Sequence, residues 1–345
     1  MYAAITKIRN LLFDSGVIKS SEFDLPIINI GNLAVGGSGK TPHIEYLIEL
    51  LSKDYKIASL SRGYGRKTKG FFEVSTESDA SDVGDEPLQI KLKFPNINVF
   101  VGEDRVEAIT KLLFKHPAID IILLDDAYQH RAIKAGYNIL LTDYKKIFTR
   151  DKSMPFGRLR EYPQAANRSE MVIISICPAN ISKNEQKELS NEITRYTKSP
   201  ILFSKVDYKE LIAFNKGISI PKTIENILII SGIAKPESLI KTCKATYKDA
   251  KITHLEYRDH YNFTKKDIDL FNEKFNTFAG SNKLIIITEK DSIRLRKIAS
   301  GTDFTNIPVF ILPIGISFIG GNNDFNNKIN NYVRQNTRDY NLLTE

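Results

Sequence analysis

Hydrophobic positions along the first 210 residues of the chain follow two alternating patterns. Short, nearly continuous apolar runs predict buried strands, and segments with apolar residues every three or four positions predict amphipathic helices. The runs occupy residues 27–30, 57–60, 99–101, 119–124, 139–141, 172–174 and 201–203, and the helical patterns include residues 41–53 and 103–115. This alternation predicts an α/β fold with a mostly parallel sheet flanked by helices.

A second series of strand-like runs begins near Ile227. It comprises residues 227–234, 251–257, 284–287 and 309–312, and the polar stretch 205–223 before it is a predicted linker. We therefore predict two domains, a larger one over residues 1–215 and a smaller α/β domain over residues 216–345. Near the end of the chain, Phe325, Ile329 and Val333 have the spacing of a terminal helix.

The segment between the first predicted strand and the first predicted helix is rich in glycine. Its glycines allow backbone N–H groups to converge on a phosphate chain, Lys40 can reach the outer phosphates, and the Thr41 hydroxyl can bind Mg²⁺. Ala34 stands at the first position of the usual G-x-x-x-x-G-K-[ST] motif. The residues predicted to hold a nucleoside triphosphate are Gly36, Gly37, Ser38, Gly39, Lys40 and Thr41.

Carboxylates follow one of the central apolar runs directly. Ligands of parallel sheets bind beyond the carboxyl ends of the strands, and the run 119–124 ends in Asp125 and Asp126. An apolar strand that ends in aspartate has the form of a Walker B element, in which the carboxylate holds Mg²⁺ directly or through water. Asp125 and Asp126 are therefore predicted metal ligands, and His130 is close enough in sequence to reach the same site.

Two further loops carry charged residues whose role the pattern leaves open. Arg62, in the loop after the run 57–60, suits either a phosphate contact or a solvent-facing turn. Asp85 and Glu86 lie just before Pro87, where they can favour a helix dipole or supply a general base for an acceptor hydroxyl.

The segment Ser204–Asp207 resembles the guanine-reading element of GTPases. That class also carries a D-x-x-G switch after its metal-binding strand, and no glycine occupies the required place after Asp125 or Asp126. The GTPase interpretation therefore fails its second test.

Composition narrows the setting of the protein only slightly. The two cysteines, Cys177 and Cys243, lack metal or redox spacing, which favours a reducing environment. A net charge of +8 favours anionic partners, but the basic residues are dispersed and no nucleic acid is expected as a partner. No apolar run reaches the roughly 18 residues that would span a bilayer.

The N-terminal residues predict a short helix with Ile5, Ile8, Leu11 and Leu12 on one side. Such a helix can lie on a membrane surface or pack on its own domain, and periodicity alone does not separate the two.

Taken together, these motifs resemble the tetraacyldisaccharide 4′-kinase family of lipid A biosynthesis. The resemblance extends from about residue 26 to residue 295. It rests on Gly31–Pro42, Leu60–Arg66, Val83–Pro87, Glu103–Arg105, Asp125–His130, Pro155–Glu161, Gly232–Pro236, Asp259–His260 and Thr288–Asp291.

The resemblance implies that the γ-phosphoryl group of ATP, bound with Mg²⁺, is transferred to the 4′-hydroxyl of an acylated glucosamine disaccharide 1-phosphate. Within it, Lys40 matches the phosphate contact, Asp85 the proposed base, and His260 a histidine that pairs with that base from the second domain. The residues assigned by hypothesis to the substrate are Arg62, Tyr64, Glu86, Arg105 and Arg160.

The family resemblance also implies a peripheral protein at the cytoplasmic face of the bacterial inner membrane. Because the N-terminal apolar segment is short, we expect attachment through a small amphipathic surface and basic charge. Two alternatives remain open at this stage: a P-loop kinase of a soluble sugar or nucleoside, and a nucleotide-switched assembly factor.

Overall fold

The computed structural model of the protein describes residues 2–215 and 217–337. The strands are β1 Ile27–Asn32, β2 Ile57–Ser61, β3 Phe72–Val74, β4 Asn98–Val101, β5 Ile121–Asp125, β6 Tyr137–Asp143, β7 Met171–Ser175, β8 Ile201–Tyr208, β9 Ile212–Ala213, β10 Asn226–Ser231, β11 Lys251–Glu256, β12 Lys283–Thr288, β13 Val309–Leu312 and β14 Ile314–Phe318. The helices are α1 Tyr2–Asp14, α2 Lys40–Leu51, α3 Ala80–Val83, α4 Asp85–Lys93, α5 Arg105–Lys115, α6 Lys183–Ile193, α7 Glu237–Thr246, α8 Lys265–Asn276, α9 Glu289–Ala299 and α10 Asn323–Asn336. Every predicted strand is present, whereas β3, β9 and β14 lie at sheet edges and were not predicted.

The larger sheet has the strand order β14-β8-β7-β6-β1-β5-β2-β4-β3. Neighbouring strands from β8 to β4 are parallel, and β3 runs antiparallel to β4. Every residue of β1, β5 and β7 is buried, as the continuous apolar runs predict for a sheet covered on both faces. Ile30 of β1 pairs with Asp125 of β5, so the ends of these two strands lie side by side.

The smaller sheet has the order β11-β10-β12-β13-β9. Its first four strands are parallel and β9 is antiparallel to β13. One face buries Leu228 and Ile285 against Phe271 and Phe304, which belong to an aromatic-rich core. The second series of predicted strands therefore forms a sheet of its own.

The division of the chain into compact units corrects the predicted domain boundary. Residues up to Asp207 and those from Gly315 onward form the first unit, and Tyr208–Ile314 form the second. The predicted domains, 1–215 and 216–345, differ from this because the last part of the chain returns to the larger sheet. Met1, residue 216 and residues 338–345 lie outside the described residues. The predicted linker 205–223 also contains the end of β8 and the short strand β9.

The returning segment completes the first unit. β14 lies beside β8 at the sheet edge, and α10 buries the three residues whose spacing predicted a terminal helix: Phe325, Ile329 and Val333. The ring centroid of Phe325 lies 5.6 Å from that of Tyr46 in α2. The hydroxyl of Tyr332 accepts a hydrogen bond from the backbone N–H of Ile27 at 3.2 Å. Contacts of this kind explain why the segment belongs to the first unit.

Helix α1 packs on the first unit with its polar side. Arg9 NH2 lies 2.8 Å from Oε1 of the buried Glu161, and Arg131 contacts Asp14 at 2.7 Å. The apolar side of the helix faces solvent and comprises Ile5, Ile8, Leu11 and Leu12. No helix within residues 2–215 and 217–337 is both long enough and apolar enough to span a bilayer.

Candidate functional site

The glycine-rich loop joins β1 to α2 and turns at two glycines with a left-handed backbone. The φ angle is 113° at Gly36 and 79° at Gly39, conformations that L side chains rarely adopt. Gly39 is the N-cap of α2 and makes no side-chain cap, so the first N–H groups of the helix suit an anion. A Cβ built at Gly37 meets none of the described residues within 4 Å, so that position opens into free space.

The inner side of the loop is fixed by neighbouring polar side chains. Ser38 is buried; its hydroxyl accepts a 3.0 Å hydrogen bond from Asn32 Nδ2, and its carbonyl accepts one of 2.8 Å from the Ser175 hydroxyl. These bonds tie the loop to the ends of β1 and β7. Asn32 was not predicted, although its position at the end of β1 was a signal for it.

Asp125 is the last residue of β5 and is buried. Burial raises the pKa of its carboxyl to about 7; Lys40 opposes that rise, whereas Asp126 and Glu86 add to it. Its Oδ1 atom accepts no hydrogen bond from any residue that the structure describes. A buried carboxylate oxygen without a donor is an oxygen ligand of the kind that Mg²⁺ binds.

Asp126, the next residue, has a different environment. Its φ angle of 53° turns the chain at the strand end, and Lys40 Nζ lies 3.7 Å from its Oδ1 atom. Arg160 NH2 donates to Oδ1 at 2.7 Å and NH1 donates to Oδ2 at 3.2 Å. Burial alone would raise the pKa of Asp126, but Lys40 and Arg160 outweigh it and hold that pKa below its usual value. The pKa values of the two adjacent carboxyls are therefore shifted in opposite directions.

Thr41 lies in the first turn of α2, next to Lys40. Within residues 2–215 and 217–337, no three His, Cys, Asp or Glu side chains form a ready-made metal cluster. Such a cluster is not required, because Mg²⁺ in phosphoryl-transfer sites is held by one or two protein ligands together with phosphates and water. Thr41 and Asp125 fit that requirement.

The loop that carries Arg62 packs closely against the turn at Gly84, which directly precedes Asp85. A Cβ at Gly84 would lie 3.1 Å from the carbonyl oxygen of Tyr64, and one at Gly63 would lie 2.8 Å from that of Val83. Glycine is therefore needed at both positions. Arg62 and Tyr64 are exposed in this pair of loops, and Asp85 and Glu86 are half-buried in the first turn of α4.

Arg105 was assigned to the substrate, but its side chain is directed to the protein's own backbone. It is buried, and its NH1 atom donates to the carbonyl oxygens of Gly102 and Glu103 at 2.8 and 3.0 Å. Burial and the neighbouring Arg62 lower the pKa of Arg105 to about 10. Its backbone N–H donates to His130 Nε2 at 3.4 Å. The assignment of Arg105 to substrate stays a prediction, and its described bonds brace the start of α5.

His260 belongs to the second unit, in the loop between β11 and α8. Its φ angle is 58°, and its ring nitrogens lie 3.0 Å from Lys290 Nζ and 3.0 Å from Arg294 NH2. Arg294 NH1 in turn lies 3.7 Å from the buried Asp291. Sequence reasoning singled out His260 but missed Lys290 and Arg294, one α-helical turn apart on α9, as its neighbours.

The loop, Lys40 and the carboxylates at the end of β5 define a P-loop phosphotransferase with an α/β fold. The chain matches the family described as tetraacyldisaccharide-1-P 4′-kinase over residues 1–334. It belongs to that family.

Individual relatives agree with this assignment. The chain is 42% identical over 352 residues to a tetraacyldisaccharide 4′-kinase of Bacteroides fragilis, which covers 99% of this chain and 93% of that protein. It is 42% identical over 341 residues to one of Flavobacterium psychrophilum, with coverage of 98% and 95%. A solved structure of LpxK from Aquifex aeolicus in complex with ATP matches with a TM-score of 0.72, 26% identity and 96% coverage of each chain.

These findings confirm the predicted family, the α/β fold class and the kinase class. The family acts on an acylated disaccharide 1-phosphate, the lipid A precursor. The roles of single residues stay predictions.

Proposed function

We propose that the protein uses ATP and Mg²⁺ to phosphorylate the 4′-hydroxyl of a tetraacylated glucosamine disaccharide 1-phosphate. The observation that carries this is the buried carboxylate oxygen of Asp125 to which no described residue donates, beside the end of the strand that leads into the glycine-rich loop. A solved relative binds ATP, and the family name gives the acceptor.

The roles of the two carboxylates can be divided on their contacts. Asp125 and Thr41 would hold Mg²⁺, Lys40 would contact the outer phosphates, and the backbone N–H groups of residues 36–41 would bind the phosphate chain. Asp126 is occupied by Arg160 and Lys40, so it orients these groups. When bound, Mg²⁺ neutralises charge that develops on the transferred phosphoryl group.

Asp85 is the proposed general base. It accepts the proton of the 4′-hydroxyl while that oxygen forms a bond to the γ-phosphorus, and the bond from the γ-phosphorus to the bridging oxygen breaks to release ADP. Glu86 lies beside it and is close enough to influence the pKa of Asp125. His260, as the partner of Asp85, stays a prediction from the family resemblance.

The substrate side of the site is assigned to exposed residues. Arg62 and Tyr64 are exposed on the loop that packs against the Asp85 loop, which suits contact with the phosphorylated sugar. Arg160 is better described as a support of Asp126 than as a substrate contact, because its guanidinium is committed to Asp126 and Asn32.

Membrane attachment is proposed through α1. Its polar side is bound to the first unit through Arg9 and Arg131, while Ile5, Ile8 and Leu11 are 60%, 59% and 55% exposed. A helix fixed in this orientation can bury its apolar side in the lipid interface, which is a reversible attachment. The family resemblance implies the cytoplasmic face of the bacterial inner membrane, and we propose that the protein is peripheral there.

The first test is incubation of the purified protein with γ-labelled ATP, Mg²⁺ and the tetraacylated disaccharide 1-phosphate in detergent. We expect label in the lipid fraction at the 4′ position, and loss of that label in Asp125→Asn. Label found only in free phosphate, with a competent control enzyme in parallel, would favour a nucleotide switch. Preferential labelling of a soluble sugar would favour the soluble-acceptor kinase.

A further inference from the structure

A buried histidine lies directly beneath the glycine-rich loop. His43, in the first turn of α2, is 2% exposed. Its Nδ1 atom lies 2.7 Å from the carbonyl oxygen of Gly39 and its Nε2 atom lies 3.0 Å from the hydroxyl of Ser204. Ser204 is fully buried in β8 and belongs to the segment that sequence analysis set aside as a guanine-reading element.

The hydrogen-bonding partners determine the state of the ring. A carbonyl oxygen can only accept, so Nδ1 carries the proton and donates to Gly39. Nε2 is then the acceptor, and the Ser204 hydroxyl donates to it. A neutral ring is consistent with its surroundings, because burial lowers the pKa of His43 to about 4. The Gly39 carbonyl therefore sets the tautomer of His43, and Ser204 stabilises that tautomer by donating to Nε2.

Gly39 is the residue at which this support matters. It has a left-handed backbone, and its peptide group leads directly into Lys40 and Thr41. Its carbonyl oxygen also receives a long bond of 3.4 Å from the backbone N–H of His43. The side-chain bond at 2.7 Å is shorter and fixes the direction of that carbonyl.

We propose that His43 is a positioning residue of the nucleotide site, which holds the Gly39 peptide in the orientation that binds phosphate, with Ser204 anchoring the other side of its ring. This rests on the proposed use of ATP at the glycine-rich loop. His43 does not touch the nucleotide; it acts through Gly39. Around metal sites, loss of a bond that supports a ligand typically lowers affinity or activity about 10- to 100-fold, and we expect a loss of that order here.

The test compares His43→Phe, His43→Asn and Ser204→Ala in Mg·ATP binding and in steady-state kinetics. Phe fills the space without a donor, whereas Asn places its Nδ2 donor near the position of Nδ1. We expect His43→Phe to weaken Mg·ATP binding and raise its KM about 10- to 100-fold, with the KM for lipid unchanged. His43→Asn should restore most of the affinity, and Ser204→Ala should cause a smaller loss in the same direction.

A double variant tests whether Ser204 acts through His43. If Ser204 acts only through His43, Ser204→Ala added to His43→Phe or to His43→Asn costs nothing further. Additive losses, or equal Mg·ATP binding by His43→Phe and the wild type, would overturn the inference. Because wild-type binding is measured in the same titration without lipid, a wild type that fails to bind Mg·ATP counts against the proposed function and not against His43. His43→Asn and Ser204→Ala keep the test decisive should His43→Phe fold poorly.

Discussion

Arg160 and Asp126 are joined by a two-point contact, NH2 to Oδ1 at 2.7 Å and NH1 to Oδ2 at 3.2 Å. The same guanidinium donates to the backbone carbonyl and to the side-chain oxygen of Asn32. Arg160 therefore bridges the ends of β1 and β5. A lysine cannot reproduce this planar arrangement, because its ammonium is a single point charge.

We predict that Arg160→Lys lowers kcat/KM for Mg·ATP about 10- to 100-fold, as the loss of a supporting bond at a metal site does. The KM for lipid should not change, because the guanidinium is committed to Asp126 and Asn32. Steady-state kinetics with each substrate varied in turn measure this. Arg158→Lys is the matched control, since Arg158 lies on the same loop and pairs with Asp151. A rise in the lipid KM alone would restore the substrate assignment.

Two buried groups in the first unit give opposite pH dependences of stability. Burial lowers the pKa of His43 from 6.5 to about 4, so the unfolded chain binds its proton first and stability falls as pH drops from 6.5 toward 4. Burial raises the pKa of Asp125 from 3.8 to about 7, so the folded chain holds that proton and stability falls as pH rises from 3.8 toward 7. At 1.36 kcal/mol per pKa unit, the shift of His43 changes the free energy of unfolding by about 3 kcal/mol, and the shift of Asp125 changes it by about 4 kcal/mol.

The effects of His43 and Asp125 on the pH dependence of stability largely cancel in the wild type. Variants that remove one of the two groups should reveal the effect of the other. Relative to the wild type, His43→Phe should lose stability as pH rises from 4 to 7, and Asp125→Asn should gain stability over pH 4 to 6.5. The measurement is the free energy of unfolding in urea at several pH values, with EDTA and without nucleotide. If both variants keep the wild-type slope, the two pKa shifts do not exist in the folded protein.

Asp85→Asn should lower kcat by about 10²- to 10⁴-fold, the range in which a general base contributes. Mg·ATP binding should persist, because Asp85 lies in α4 and makes no part of the glycine-rich loop. Phosphoryl transfer and Mg·ATP affinity are measured on the same preparation. Asp82→Asn, at an exposed carboxylate in the adjacent helix α3, serves as the control and should behave as wild type. Normal turnover by Asp85→Asn would show that Asp85 is not the general base.

Ile8→Glu should reduce cosedimentation with vesicles that contain anionic lipid and leave activity in detergent unchanged. Ile8 is 59% exposed on the outer side of α1, so a carboxylate there costs little in the free protein but opposes burial in lipid. Phe114→Glu is the matched control, because Phe114 is 92% exposed at the end of α5. Equal loss of vesicle binding in both variants would argue against α1 as the attachment surface.

The family resemblance implies that His260 is the partner of Asp85. On that premise, Lys290→Gln and Arg294→Gln should each lower kcat, because both side chains contact the ring of His260. Misplacement of a group in a reacting site by about 1 Å can cost on the order of 100-fold, so we expect losses up to that size. Mg·ATP binding should not change. Lys244→Gln, at an exposed position of α7 in the same unit, should retain full activity. Unchanged kcat in both test variants would show that catalysis does not depend on the contacts of Lys290 and Arg294 with His260.

The parts of the site that local patterns predict are those formed within one stretch of chain. The glycine-rich loop and Asp125 each follow a strand that its apolar run predicts. Arg160 and Asn32 are 128 residues apart, and their contact has no local signal. The return of α10 to the first unit depends on contacts such as Tyr332 with Ile27, across 305 residues. Spacing predicted the helix but not its partner.

Helix α1 illustrates a different limit. Its periodicity identified an apolar side through Ile5 and Ile8 but left open which side meets the protein. The choice is made by Arg9 with buried Glu161 and by Arg131 with Asp14, partners more than 100 residues away in the chain. Because charged pairing fixes the polar side inward, the apolar side is left to solvent. Periodicity identifies the apolar and polar sides of a helix, but contacts with residues distant in the chain determine which side faces the protein.

The position of β14 has a consequence for synthesis of the protein. β14 lies beside β8 in the larger sheet, yet residues 209–313 are translated between the end of β8 and the start of β14. On the ribosome, the first unit therefore emerges with β8 as an open sheet edge and without α10 over Tyr46 and Ile27. An unpaired strand edge is a site of mispairing with other chains. The nascent first unit thus stays unfinished until the whole second unit has been translated, which makes that interval the period when a chaperone is most useful.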